Sequence, residues 1–226
     1  MEKAIIYQIF TRLFGNTNTT RKHNGTLTDN GCGKLNAFTP AVLRRIKELG
    51  ATHVWYTGVI RHATTTDYTR YGIPRQHPAV VKGNAGSPYA ITDYYDIDPD
   101  LATNVEKRMN EFESLVKRTH KAGLKMIIDF VPNHVARQYK STAKPKGIAD
   151  FGENDNTGMQ FSPQNNFYYC PEQSFAADID LYHGEELPYE EFPAKATGND
   201  CFGNRPGRND WYETVKLNYG VDYCDA

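Results

Sequence analysis

Apolar and polar positions along this chain switch between two periods, and the switches mark its elements. Residues 4–10, AIIYQIF, and 52–56, THVWY, are β-branched and aromatic runs of strand length, and 125–131, KMIIDFV, is a third. Between the first two, Val42, Leu43, Ile46 and Leu49 recur at helical spacing, with Thr39 placed as N-cap, Pro40 as the first helical residue and Gly50 as the stop. A second helix is predicted over 104–122, where Val105, Met109, Phe112, Leu115 and Val116 make one face. Thr103 and Glu106 form a capping-box pattern before it, and Gly123 ends it. The order is β-α-β-insert-α-β, which right-handed crossovers turn into parallel neighbouring strands. Such strands belong either to an open doubly wound sheet or to the start of a (β/α)8 barrel.

The segments outside this pattern help to choose. Residues 62–87 and 135–214 are rich in Gly, Pro, Asn, Asp and Tyr and show no long helical period. The second is too long for a structureless loop, so it is expected to be an irregular subdomain inserted after the third strand. FTRLFGN follows the first strand where a dinucleotide-binding fold would carry its glycine-rich loop, which favours the barrel. The predicted fold class is therefore α/β, of the (β/α)8 TIM-barrel type, with only the first three strands present. Residues 1–134 are assigned to the barrel, 135–214 to the insert and 215–226 to a return segment. On such a fold the polar residues that follow the third strand, Asp129 to His134, lie at the strand end where barrel enzymes keep their chemistry.

Composition narrows the chemistry by exclusion. A formal charge of -1 and a pI of about 6.7 provide no basic field for nucleic acid or an anionic membrane, and a neutral substrate fits better than a phosphate-rich one. No apolar run approaches the ~18 residues of a membrane span, and MEKAIIYQIF lacks the parts of a signal peptide, so a cytoplasmic location is expected. Cys32, Cys170, Cys201 and Cys224 form no CxxC pair and are expected to be reduced and buried; His53, His62 and His77 have no metal-ligand spacing. The 15 tyrosines and 11 phenylalanines recur in loop-like segments beside Gly, Asn and Asp. Such rings either stack on sugar faces or pack between core and solvent, and composition leaves both open.

Taken in order, AIIYQIFTRLF, THVWYTGVI, YAITDYYDIDP, AGLKMIIDFVPNH and DWYETVKLNYGVDY resemble the N-terminal part of an alpha-amylase-type enzyme, glycoside hydrolase family 13. The resemblance implies a retaining glycosidase acting on α-glucans or α-linked oligosaccharides. It implies that His134 bonds hydroxyls of the sugar at the cleaved bond, that Tyr89 stacks on the same sugar, and that Asp129 holds an arginine of a later motif. Asp93 falls in the matching support segment and is carried as a substrate-binding residue. Asn133 matches a position that in many members supplies an oxygen to a structural Ca2+, with Asp178 and Asp180 as alternatives for a partner ligand. VKLNYG departs from the family's acidic form, having Lys216 where many members have Asp. Arg205 and Arg208, beside Trp211, are read either as the rim of a sugar cleft or, more simply, as surface arginines.

Retaining cleavage needs two carboxyl groups about 5–5.5 Å apart, flanking an oxocarbenium-like transition state. In the family both follow the insert, the nucleophile within a Gly-x-Arg-x-Asp pattern, and that pattern is absent here. Asp222 and Asp225 are no substitute, because no arginine stands two residues before either. The chain thus reads as a front fragment that binds but does not turn over, with open strand edges that favour aggregation. Two rivals stay open: a noncatalytic carbohydrate-binding module of the same fold, and a transferase or isomerase of the same family. Oligomeric state is not legible.

Overall fold

The computed structural model describes residues 3–177 and 188–220. Nine strands are found among them: β1 (Ile6–Phe10), β2 (His53–Thr57), β3 (Ile60–His62), β4 (Ile91–Ile97), β5 (Lys125–Ile128), β6 (His134–Ala136), β7 (Tyr169–Cys170), β8 (Ala194–Lys195) and β9 (Thr214–Lys216). Three α-helices accompany them: α1 (Leu27–Asn30), α2 (Pro40–Glu48) and α3 (Arg108–Lys121). β1, β2 and β5 form a parallel sheet in that order, with Tyr7 opposite Val54 and Val54 opposite Met126. The crossovers that make them parallel carry α2 and α3. No described helix is long and apolar enough to cross a membrane.

Helix α2 follows its sequence signals closely at the start and less well at the end. Thr39 accepts a hydrogen bond from the Val42 amide, Pro40 opens the helix, and Leu43 and Ile46 are buried. Leu49 is 71% exposed, because the expected four-residue apolar face reaches the core only through its middle. The first turn of the second predicted helix is a 3-10 turn, Val105–Lys107, and α3 begins at Arg108. Glu106 does not reach back as a capping box requires. Glu111, one turn later, bonds the amides of Thr103 and Asn104 through its two carboxylate oxygens, at 2.9 and 2.8 Å.

The main core packs Leu35, Phe38, Leu43, Val54, Tyr56, Leu101, Leu115 and Leu124 between sheet and helices. Only the middle strand is well covered. On β1, Ile6 and Tyr7 remain 52% and 38% exposed, and beyond β5 Phe130 is 72% exposed.

Two antiparallel pairs connect this layer to the rest. β3 and β4 form one, joined across a buried ion cluster in which Arg61 contacts Asp93 and Asp96 at 3.2 and 3.0 Å. β6 and β9 form the other, with His134 opposite Lys216. This ribbon brings together the two ends of the segment between them, which holds its own cores around Phe167 and Tyr169 and around Cys170 and Phe175. Arg137, fully enclosed, ties that segment to the ribbon by bonding Glu191 and the carbonyls of Tyr212 and Thr214.

Cys32 and Cys201 are half-buried and Cys170 is buried, all three as free thiols; Cys224 lies outside the described residues. Burial pushes the Cys32 thiol up to about 12, which leaves it unreactive. His62 is enclosed beside Asp98, and neither His53 nor His77 shares a site with it.

Candidate functional site

The site lies where the sheet meets the β6–β9 ribbon. Asp129 follows the last residue of β5, at the C-terminal end of the parallel strands, and is half-buried. Its carboxylate accepts two hydrogen bonds from β2 and the turn beyond it: Trp55 Nε1–H at 2.7 Å and the Gly58 amide at 2.7 Å. These donors supply what a desolvated carboxylate needs, and they leave lone pairs for a further cation. Neither was anticipated, though THVWYTG does place a tryptophan and a glycine at a strand end. Gly58 is required there on two counts: its φ is +75°, and a Cβ would stand 2.8 Å from Pro88. Gly58→Ala is therefore expected to displace the amide from Asp129 and to lower the thermal midpoint by several degrees, about 1–3 kcal/mol of strain. An unchanged melt would show that the turn relaxes freely.

His134 opens β6 and is 6% exposed. Asn133 Nδ2 donates to its Nδ1 at 3.0 Å. Burial lowers the imidazole pKa, the nearby Tyr89 backbone opposes this in part, and the Lys216 charge adds a smaller lowering, which together favour the neutral ring. Trp211 packs edge-on against it, ring centres 5.2 Å apart. Gly198 packs against the base of the side chain, where a Cβ would come within 2.9 Å of His134 Cβ and Cγ.

Tyr89 is 40% exposed and Trp211 42% exposed, so two aromatic faces are available beside the histidine. Burial raises the Tyr89 phenol pKa, and the Asp129 charge raises it further. Tyr89 follows Pro88, which packs against the Gly58 turn that holds Asp129, and His134 stands five residues beyond that acid. Trp211 joins them, while Arg205 and Arg208 are exposed.

Asp93 does not join them. It is fully buried, and its oxygens are taken by Ser141 Oγ at 2.7 Å, by the amides of Tyr95, Thr142 and Ala143 at 2.8–3.1 Å, and by Arg61. As placed, it anchors β4 to residues 141–143 and offers nothing to a ligand.

The Ca2+ that the resemblance attaches to Asn133 does not fit the residues present. Asn133 Oδ1 already accepts from the Lys216 ammonium at 2.7 Å, and that ammonium pairs with Asp200 at 2.8 Å. Calcium takes six to eight oxygens at about 2.3–2.6 Å, and a fixed positive charge against the same carbonyl opposes it. Among the described residues no three His, Cys, Asp or Glu side chains converge on a metal position; Asp178 and Asp180 lie outside them.

Residues 8–189 match the family model for the alpha-amylase catalytic domain. The chain is 32% identical to the trehalose-6-phosphate hydrolase of Bacillus subtilis (strain 168), over 62% of its own length and 18% of the relative's. It is 28% identical to maltase A2 of Drosophila melanogaster, over 73% and 24%. Among solved structures, an alpha-amylase from Lactobacillus plantarum is 28% identical, with a TM-score of 0.41 over 62% of this chain and 24% of that one. The chain thus spans about a fifth to a quarter of the length of these relatives. With a family model matched across most of its residues, the chain belongs to the alpha-amylase catalytic-domain family and its α/β barrel-type fold.

Proposed function

We propose that this chain supplies the sugar-gripping part of a retaining glycoside hydrolase acting on α-glucans or α-linked oligosaccharides. The carboxylate pair that breaks the bond is proposed to lie outside its 226 residues, since no Gly-x-Arg-x-Asp pattern is present. In this reading β1, β2 and β5 are the first three strands of the barrel, and residues 135–214 are its inserted subdomain. One observation carries the proposal: His134, five residues beyond Asp129, packs against the exposed Trp211, and the exposed Tyr89 adjoins the Pro88–Gly58 contact whose amide holds that carboxylate.

The chemistry suits those groups. As the glycosidic bond lengthens, the sugar ring flattens and gains positive charge, so an aromatic face and hydroxyl-bonding groups that tighten in that state lower the barrier. Tyr89 offers the face. His134 offers a ring whose Nδ1 is taken by Asn133, leaving Nε2 for a sugar hydroxyl. Asp129, held by Trp55 and Gly58, fixes the strand ends that carry these groups and keeps an acceptor ready for a guanidinium. The names of the relatives, a maltase and a trehalose-6-phosphate hydrolase, are in keeping with an α-glucoside as ligand.

Fluorescence titration tests the reading, because the chain has two tryptophans and both belong to this site. Maltotriose is expected to change the emission, and Tyr89→Ala and His134→Ala are each expected to weaken binding about tenfold, the equivalent of ~1.4 kcal/mol. Equal binding by the parent and both variants would sink the proposal.

A further inference from the structure

The β6–β9 register sets Lys216 opposite His134, and the two side chains meet through Asn133. Lys216 is 6% exposed, so its ammonium must be paired within the protein. Its partners among the described residues include the neutral Oδ1 of Asn133 at 2.7 Å and the carboxylate of Asp200 at 2.8 Å. Asp200 belongs to a tight turn closed by Thr197, whose hydroxyl accepts from the Cys201 amide and whose carbonyl accepts from the Asp200 amide. The same turn offers the Gly198 carbonyl to Asn133 Nδ2 at 2.7 Å.

Each bond constrains the next. With its Oδ1 bound to an ammonium, the Asn133 amide has only one orientation, and Nδ2 must point at Gly198 and at His134 Nδ1. A donor facing Nδ1 makes that nitrogen the lone-pair nitrogen of the neutral ring and puts the proton on Nε2. Three residues from two stretches of chain form one directional series running from Lys216 through Asn133 to His134.

We propose that Lys216 is the built-in cation of this junction: its ammonium fills the place of a divalent ion, makes the site independent of metal, and acts as a positioning residue that fixes the His134 tautomer. The charge logic is simple. A lysine here both removes an anionic ligand and adds a positive charge, so Asn133 and Asp200 are satisfied without calcium. A junction carrying a carboxylate at the same position would have spare negative charge and would draw a cation in. The inference rests on the contacts of Lys216 and stands whether or not the site binds sugar.

Terbium(III) luminescence excited through Trp211 reads the cation position directly, since Trp211 packs on His134. Wild-type protein is expected to give no signal that Ca2+ displaces, and amide exchange across 133–135 and 214–217 is expected to be the same in Ca2+ and in chelator. Lys216→Asp is expected to gain a Ca2+-displaceable signal, at least about tenfold stronger in apparent affinity than wild type. Lys216→Met should gain none, and the 15N shifts of His134, which report one tautomer in wild type, should move to the average of two. One-to-one, Ca2+-displaceable binding by wild-type protein would overturn the proposal even if both variants failed to fold. So would folded variants whose terbium response and His134 shifts match wild type.

Discussion

Replacing Arg61 with methionine is expected to destabilise the protein by about 3–5 kcal/mol, the usual cost of leaving one side of a buried ion pair alone. Arg61 is 2% exposed. Its Nη1 bonds Asp96 at 3.0 Å and Thr142 Oγ1 at 2.7 Å, and its Nη2 bonds the Lys140 carbonyl at 2.7 Å and approaches Asp93 at 3.2 Å. One guanidinium therefore ties β3 and β4 to residues 140–142. Without it, Asp96 keeps Arg108, at 2.7 Å, whereas Asp93 keeps only neutral donors. Adding Asp93→Asn to Arg61→Met should accordingly recover part of the loss. Urea unfolding at sub-micromolar concentration measures both, and a loss below about 1 kcal/mol would show that water enters and solvates the pair.

Self-association of the purified chain is the second large effect expected. Among the described residues two of the three parallel strands are edges, and they carry bare apolar side chains: Ile6 at 52% and Phe10 at 37% on β1, Ile128 at 38% on β5, and Phe130 at 72% just beyond it. Parallel strands normally have both faces covered, and an open apolar edge recruits another strand. At micromolar concentration the 25.6 kDa chain should elute well above its own mass. Ile6→Lys combined with Ile128→Lys should return it towards monomer without loss of helical circular dichroism. A monomeric wild-type chain with one sharp cooperative melt would contradict this account of the edges.

The elements that sequence patterning located well are those specified locally. Thr39 and Pro40 start α2 through contacts within one turn, and Gly50 and Gly123 end their segments with positive φ. The strand ending in Asp129 was readable because an apolar run stops abruptly at an acid. What sequence reading missed was set by contacts between distant segments. Asp93 and Asp129 look alike in sequence, each an acid in or after a strand. One is sealed by Arg61 and the 141–143 turn, whereas the other is held half-open by Trp55 and Gly58. Leu49 satisfied the helical period but lies past the end of the surface that the sheet covers. Lys216 stood out only as a departure from a motif, and its partner Asp200 comes from a turn that no spacing rule predicts.

A single NMR experiment bears most directly on the central claim, that this chain grips an α-linked sugar without cleaving it. Saturation-transfer difference spectra of maltotriose in the presence of the protein, followed over a day, report contact and cleavage in the same tube. The account predicts saturation concentrated on one glucose ring, reduced by His134→Ala, absent for the β-linked trisaccharide, and no growth of free-glucose anomeric signals. Saturation that does not distinguish α from β linkages, or glucose released by the purified 226 residues, would contradict it.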